Sequence, residues 1–217
     1  MQVLARLFSV VFLTLGLSLA ACCAGCNVFG AIAYKTMGPE AVPAAYVPPK
    51  ELMLVHAEGR ANDMQPFADQ LAVMVANDLK LHHVAPLVDD TKLYALRSNK
   101  AAEFSKMIIP DVGRAVGAKQ VVYIDLRECS FESNPGSDMF QGSVDARVRV
   151  VDVATGVTRW PDIGGSQPFT AKTDYVRRDA RETPLAVRNM MLEDLAGAIS
   201  RKFYETKPES SKPTGAN

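Results

Sequence analysis

The chain has 217 residues, in which 24 basic side chains balance 24 acidic ones, so the formal net charge is zero. That balance provides no basic field for a phosphate backbone, which excludes nucleic acid as the partner, and no acidic field to gather cations. Three of the four cysteines crowd into Cys22, Cys23 and Cys26 and leave Cys129 alone, which excludes a disulfide framework.

Met1 to Arg6 carries one positive charge, Leu7 to Leu19 is apolar, and the small residues Ala20 and Ala21 precede Cys22. This is the three-part plan of a secretory signal over residues 1–21. Leu19-Ala20-Ala21-Cys22 resembles the lipobox of bacterial lipoproteins. The resemblance implies cleavage after Ala21, a diacylglycerol on the Cys22 thiol and an acylated new amino terminus, with no other cofactor. Each buried acyl methylene contributes roughly 0.8 kcal/mol, so two or three chains on one residue form a stable membrane anchor.

The competing reading is a transmembrane helix, because no charged residue falls between Arg6 and Lys35, a span longer than the roughly 20 residues a bilayer requires. The short apolar region and Gly16, Gly25 and Gly30 favour the lipoprotein. Both readings leave the domain outside the inner membrane, facing the periplasm, since the positive end stays in the cytoplasm. Cys23 stands where some bacteria place an aspartate that retains lipoproteins at the inner membrane, so the resemblance implies the outer membrane. The Cys23 and Cys26 spacing lacks the helix start of a redox motif and the further ligands of a zinc site.

Residues 22–50 read as the lipidated anchor and a tether rich in Ala and Pro, stiffened by Pro39, Pro43, Pro48 and Pro49. Its aromatic residues Phe29, Tyr34 and Tyr46 can dock on the domain that follows. That domain spans 51–205 and opens with Leu52 to Ala57, an apolar run of strand length expected to be covered on both faces. Asp63 is a candidate cap for a helix whose buried stripe is Phe67, Leu71, Met74, Val75 and Leu79. A short strand is expected over Val84 to Val88. Asp89-Asp90 then caps a helix carrying Leu93 and Leu96, and a further helical piece has Pro110 in its first turn and Gly117 as its stop.

Val121 to Phe131 predicts a second strong strand, and Ser133-Asn134-Pro135-Gly136 a turn. Strict alternation follows: Phe140, Gly142, Val144, Ala146, Val148 and Val150 point one way, and Gln141, Ser143, Asp145, Arg147 and Arg149 the other. This is a long, half-buried antiparallel strand. Asp152-Val153-Ala154-Thr155-Gly156 closes a hairpin with Gly156 left-handed, Val157 to Trp160 returns, and Phe169 to Tyr175 is a last strand. A closing helix runs from Pro184, capped by Thr183, to about Tyr204, with Val187, Met191, Leu195, Ile199 and Phe203 buried. Residues 206–217 have the composition of a disordered tail. The fold class is α/β (α+β), a single three-layer-like domain in which helices pack on a mixed sheet with a long antiparallel hairpin.

The run Val112-Gly113-Arg114-Ala115-Val116-Gly117-Ala118-Lys119-Gln120-Val121-Val122-Tyr123-Ile124 and the hairpin Val144 to Trp160 resemble the family of envelope domains that includes the curli secretion lipoprotein, the penicillin-binding-protein activator lipoproteins and the amino-terminal domain of the Tol-system propeller protein. The resemblance implies a fold and not an activity. A secretion pore would need added hairpins of about ten residues per strand, and no loop here is long enough for them.

His82 and His83 lie near Asp89 and Asp90, but adjacent helical residues diverge and two histidines complete no metal site. His56 sits in an apolar strand as a core residue. Ser130 and Ser143 belong to no nucleophile elbow, and Gly164-Gly165-Ser166 lacks the lysine and helix start of a phosphate loop. No catalytic residue is assigned. The candidate partner surface is Gln141, Ser143, Asp145, Arg147 and Arg149, with Trp160 as a bordering anchor; the competing reading is a solvated face with Trp160 closing the core. The expected function is a non-enzymatic module that binds another envelope protein, with a motif-less hydrolase or metal-dependent enzyme and a ring-forming homo-oligomer as alternatives. The anchor is tested by palmitate labelling in cells: Cys22→Ala is expected to take up no label and to leave the membrane fraction, and a variant that keeps both properties refutes lipidation at Cys22.

Overall fold

The computed structural model describes residues 41–133, 139–163, 165–177 and 184–207. The expected leader, Cys22, Cys23, Cys26, the tether up to residue 40, the turn at 134–136, Gly164, the cap Thr183 and the tail from residue 208 lie outside the described residues. One compact unit spans Pro43–Glu205. The other, Met1–Val42 with Thr206–Asn217, contains an antiparallel bridge between Val42 and Thr206.

Strand β1 (Met53–Gly59) is buried over its apolar residues and pairs in parallel with β2 (Gln120–Ser133). Between them lie helices α1 (Gln65–Leu81), α2 (Asp90–Asn99), α3 (Ala101–Phe104) and α4 (Ile109–Val116). β2 pairs antiparallel with β3 (Met139–Asp152) along its length, from Gln120 opposite Asp152 to Ser133 opposite Phe140, with a register shift between Leu126 and Glu128. The far edge of β3 takes β4 (Thr158–Trp160), β5 (Gln167–Lys172) and β6 (Val176–Arg177) in turn, all antiparallel. Helix α5 (Pro184–Ser200) closes the unit. The result is the expected three-layer α/β architecture with a mixed sheet.

The two faces of the sheet are unequally covered. α1 and α5 pack Leu71, Val75, Leu79, Met191, Leu195 and Ile199 on Val55, Val122, Ile124, Val148 and Val150 in the larger core. On the other face Val112 and Val116 of α4 cover Leu54, Val121 and Val153, while Leu93, Leu96 and Phe104 pack at the margin of this smaller core. Among the described residues no helix packs on that face beyond Tyr123.

Four local expectations change. Asp63 falls in a 3-10 turn (Asn62–Met64) and caps nothing; with Pro in the first turn, α1 starts at Gln65. The side chain of Gln65 ties that start to β1, accepting from Gly59 N–H at 3.2 Å and donating to Ala57 O at 3.2 Å. The strand expected over Val84 to Val88 shrinks to one parallel bridge, Leu87 with Met53, because Pro86 has no N–H to extend a ladder. The last strand divides into β5 and β6 around Thr173, whose hydroxyl accepts from Gly142 N–H at 3.0 Å. The closing helix ends at Ser200 instead of Tyr204, and the turn after it buries Phe203 against Trp160 and Tyr46, with ring centroids 5.7 and 6.3 Å apart.

Asp89 caps α2 as expected, accepting from Thr91 N–H at 2.9 Å. Helices α1 and α4 end in the same hydrogen-bond pattern with different residues at the left-handed position. After α4, Gly117 has φ +82° while Ala118 N–H donates to Gly113 O at 2.8 Å. After α1, His83 has φ +51° while Val84 N–H donates to Leu79 O at 3.0 Å. A side chain in the left-handed region costs roughly 1–2 kcal/mol, whereas glycine adopts it freely. Gly117→Ala is therefore expected to lower stability by about 1 kcal/mol, and His83→Gly to raise it by about 0.5–1 kcal/mol after the added freedom of the unfolded chain is subtracted. Urea denaturation of the two variants checks both signs.

Candidate functional site

Alternation along β3 places Gln141, Ser143, Asp145, Arg147 and Arg149 on the face that the short helices leave open, while Gly142, Val144, Ala146, Val148 and Val150 are buried beneath α5 and its neighbours. Register brings further residues to this face. Tyr123 lies opposite Arg149, Asp125 opposite Arg147, Ser130 opposite Ser143, and Thr170 opposite Asp145. β1 adds His56 beside Tyr123 and Glu58 beside Asp125.

Most of these side chains are already engaged. The hydroxyls of Ser130 and Ser143 meet at 2.8 Å, Gln141 donates to Thr173 O at 2.7 Å, and Thr170 donates to Asp145. Asp125 accepts from Arg127 at 3.1 Å and faces Arg60 at 3.8 Å. Arg147 and Arg149 differ: among the described residues neither has a carboxylate within 4.0 Å. The guanidinium of Arg149 stands 5.2 Å from the centre of the Tyr123 ring, a cation–π placement, and Arg147 is exposed. A cavity of about 310 Å³ beside Arg149 is bounded by Glu58, Val151 and the segment from Met107 to Pro110.

At the covered end of the face, Glu58 is held between two donors. Tyr123 Oη donates to Oε2 at 2.7 Å and His56 Nε2 lies 3.1 Å from Oε1. His56 is fully buried, and its Nδ1 faces Arg97 Nη2 at 3.5 Å while Arg97 pairs with Asp69 at 2.5 Å. The network assigns the proton to Nε2, leaving Nδ1 as the lone-pair side toward Arg97. The hydrogen bond from His56 holds the Glu58 carboxyl down from its ordinary 4.5 to about 2, against the desolvation that would raise it. Burial, and then the hydrogen bond to Glu58, push the Tyr123 phenol up.

Trp160 stands apart from the other five named residues. It lies in register with Val150, is 6 % exposed and packs on Phe203, so it closes the larger core. The two histidines after α1 do not converge: His82 stacks on Tyr204 with centroids 3.7 Å apart and bonds Asp78 at 2.9 Å, while His83 turns away at its left-handed position. Among the described residues no three His, Cys, Asp or Glu side chains are grouped to hold a metal ion. None of their helices is long and apolar enough to cross a membrane.

Glu58, Arg97 and Asp69 were not named by the sequence, and Tyr123 was named only within the run that resembles the envelope family. Nothing in the sequence tied α1 and α2 to His56. No family model matches the chain, and no curated protein matches it. Solved structures with a distant resemblance include lipoprotein GNA1162 from Neisseria meningitidis (14% identity, 70% of this chain, 99% of that chain, TM-score 0.45). A PelC dodecamer from Paraburkholderia phytofirmans (12%, 76% and 96%, 0.44) and the LpoB C-terminal domain from Salmonella enterica (17%, 64% and 90%, 0.35) are others. Likeness at that level decides nothing about activity.

The depressed Glu58 carboxyl has a pH signature. Its stabilisation is present above pH 4.5 and is lost as the pH falls through about 2. Half exposure of this carboxylate lets solvent weaken the effect. The urea midpoint of the wild type is expected to fall more steeply between those pH values than that of Glu58→Gln; parallel slopes refute the linkage.

Proposed function

We propose that this chain is a lipid-anchored cell-envelope protein that holds a non-enzymatic binding module in the periplasm, on the outer membrane, and engages another envelope protein through the open face of its sheet. The proposed organisation is a signal peptide over 1–21, Cys22 as the lipidated residue, a tether to residue 50, the binding domain over 51–205 and a tail over 206–217. The observation that carries the contact is the pair Arg147 and Arg149, two guanidinium groups on an uncovered strand face with no carboxylate partner among the described residues. Arginine presents a planar fork of donors suited to carboxylates, and its weak hydration makes it a favoured residue at protein interfaces. Gln141, Ser143 and Asp145 extend the same row, already oriented by their neighbours, so little side-chain freedom is lost on contact. Trp160 supports the row from inside the core.

The reading is tested with a photo-crosslinking residue at position 147 in cells, with the exposed Lys106 position as control. Position 147 is expected to give a discrete adduct with one envelope protein and position 106 none. Arg147→Glu together with Arg149→Glu is expected to reduce pull-down of that protein at least tenfold while circular dichroism stays unchanged. Equal adducts at both positions, or undiminished pull-down, overturns the contact role.

A further inference from the structure

The outer edge of β1 is incompletely paired. Parallel pairing with β2 uses the amides and carbonyls of Leu54, His56 and Glu58, so those of Met53, Val55, Ala57 and Gly59 point to the edge of the sheet. Met53 is satisfied there: its N–H donates to Pro86 O at 2.8 Å and its O accepts from Val88 N–H at 2.9 Å. Gly59 N–H donates to Gln65, and Ala57 O accepts from Gln65 at 3.2 Å and Arg97 at 3.4 Å. Among the described residues nothing takes the N–H or C=O of Val55, or the N–H of Ala57. Yet Val55 is 7 % exposed and Ala57 1 %. Buried backbone groups are nearly always paired, so three neighbouring unpaired ones mark a place where something else binds.

Those groups open into a cleft of about 170 Å³ between Ala72 and Val73 of α1 and Leu93 and Tyr94 of α2. Its rim is apolar and outward-facing, with Val73 44 % and Tyr94 74 % exposed. Arg97, at the Ala57 end, is neutralised by Asp69. The chain itself begins a strand here, since Pro86 to Val88 bonds Met53 before Asp89 turns the backbone into α2.

We propose that the cleft takes a short extended peptide as a strand added to β1, continuing the line of Pro86 to Val88. The geometry at Met53 sets the pattern: one peptide carbonyl accepts from Val55 N–H, and the residue two further on donates to Val55 O and accepts from Ala57 N–H. Successive side chains of the peptide then face α1 and α2 alternately. Ala72, Val73 and Leu93 make the middle of the walls apolar, with Asp90 at one side and the Arg97–Asp69 pair at the Ala57 end, and the space equals about six water molecules at ~30 Å³ each, so the peptide carries small aliphatic side chains there. This edge is a different surface from the arginine-bearing face, and the inference does not rest on that contact.

The test pans a phage-displayed random heptapeptide library on the full chain purified in detergent. Enriched peptides are expected to hold a run of small aliphatic residues, and a synthetic copy is expected to slow amide exchange of Val55 and Ala57 at least tenfold, read residue by residue. Ala72→Trp, which fills the cleft, and Val73→Glu, an exposed change that spares folding, are each expected to weaken binding at least tenfold. Arg147→Glu with Arg149→Glu is expected to leave it unchanged, which separates this site from the sheet face. An unenriched library, a peptide that leaves those two amides unaffected, or undiminished binding to Val73→Glu overturns the proposal.

Discussion

The rest of the unit depends on β3 being hydrogen-bonded on both sides. β2 holds one edge from Phe140 to Asp152, and β4, β5 and β6 share the other. With both edges occupied the strand cannot slip, and a slip of one residue would drive Arg147 and Arg149 into the core and Val148 out of it. The register shift between Leu126 and Glu128 absorbs the one place where the two long strands disagree in length. Thr173 performs the same service on the other edge, where its backbone N–H and its hydroxyl both bond Gly142.

What exposes a sheet face is the shortness of the helices on that side. α1 and α5 each have 17 residues and run across the sheet, whereas α2, α3 and α4 have ten, four and eight. A helix advances about 1.5 Å per residue, so the 17-residue elements reach roughly 25 Å and the short ones roughly 6 to 15 Å. The short helices pack around Leu54, Val121 and Val153 and end there. The open polar face is one consequence, and the cleft at the β1 edge lies where α1 and α2 part beside Val55 and Ala57.

Much of this was legible in the sequence because it follows from period and punctuation. The alternation of β3, the stripe of α5 and the left-handed Gly156 and Gly117 all appear where residue spacing places them. What escaped depends on long-range partners. Asp63 has the chemistry of a cap but loses the position to a 3-10 turn, and Gln65 does the tying through a side chain that finds β1 only in the folded chain. Val84 to Val88 is apolar enough for a strand, but Pro86 brings no N–H to a ladder and the turn into α2 follows at once, so one bridge forms. Trp160 was legible as large and apolar, but which side of β4 it takes is set by pairing with Val150. Arg97 carries no local signal at all; its role comes from His56 and Asp69, 41 and 28 residues away in sequence.

The ionisable groups whose titration is displaced, among them Glu58 and Tyr123 at the open face and Cys129 and Tyr204 against the larger core, sort in a direction of their own. General acid–base chemistry works best with a group that titrates near the working pH. Here the environment moves groups the other way. Glu58 falls to about 2, the Tyr123 phenol rises, burial raises the Cys129 thiol, and burial with a hydrogen bond to Asp78 takes Tyr204 up to about 12. Each is thereby fixed more firmly in the charge state it already holds at neutral pH. Fixed charge on a rigid strand is what recognition uses, because complementary partners are drawn in and like-charged ones are repelled without any proton changing hands. The same hydrogen bonds that hold the Glu58 carboxyl down also hold Tyr123 under Arg149, so one network fixes a carboxylate and orients a guanidinium at the open face.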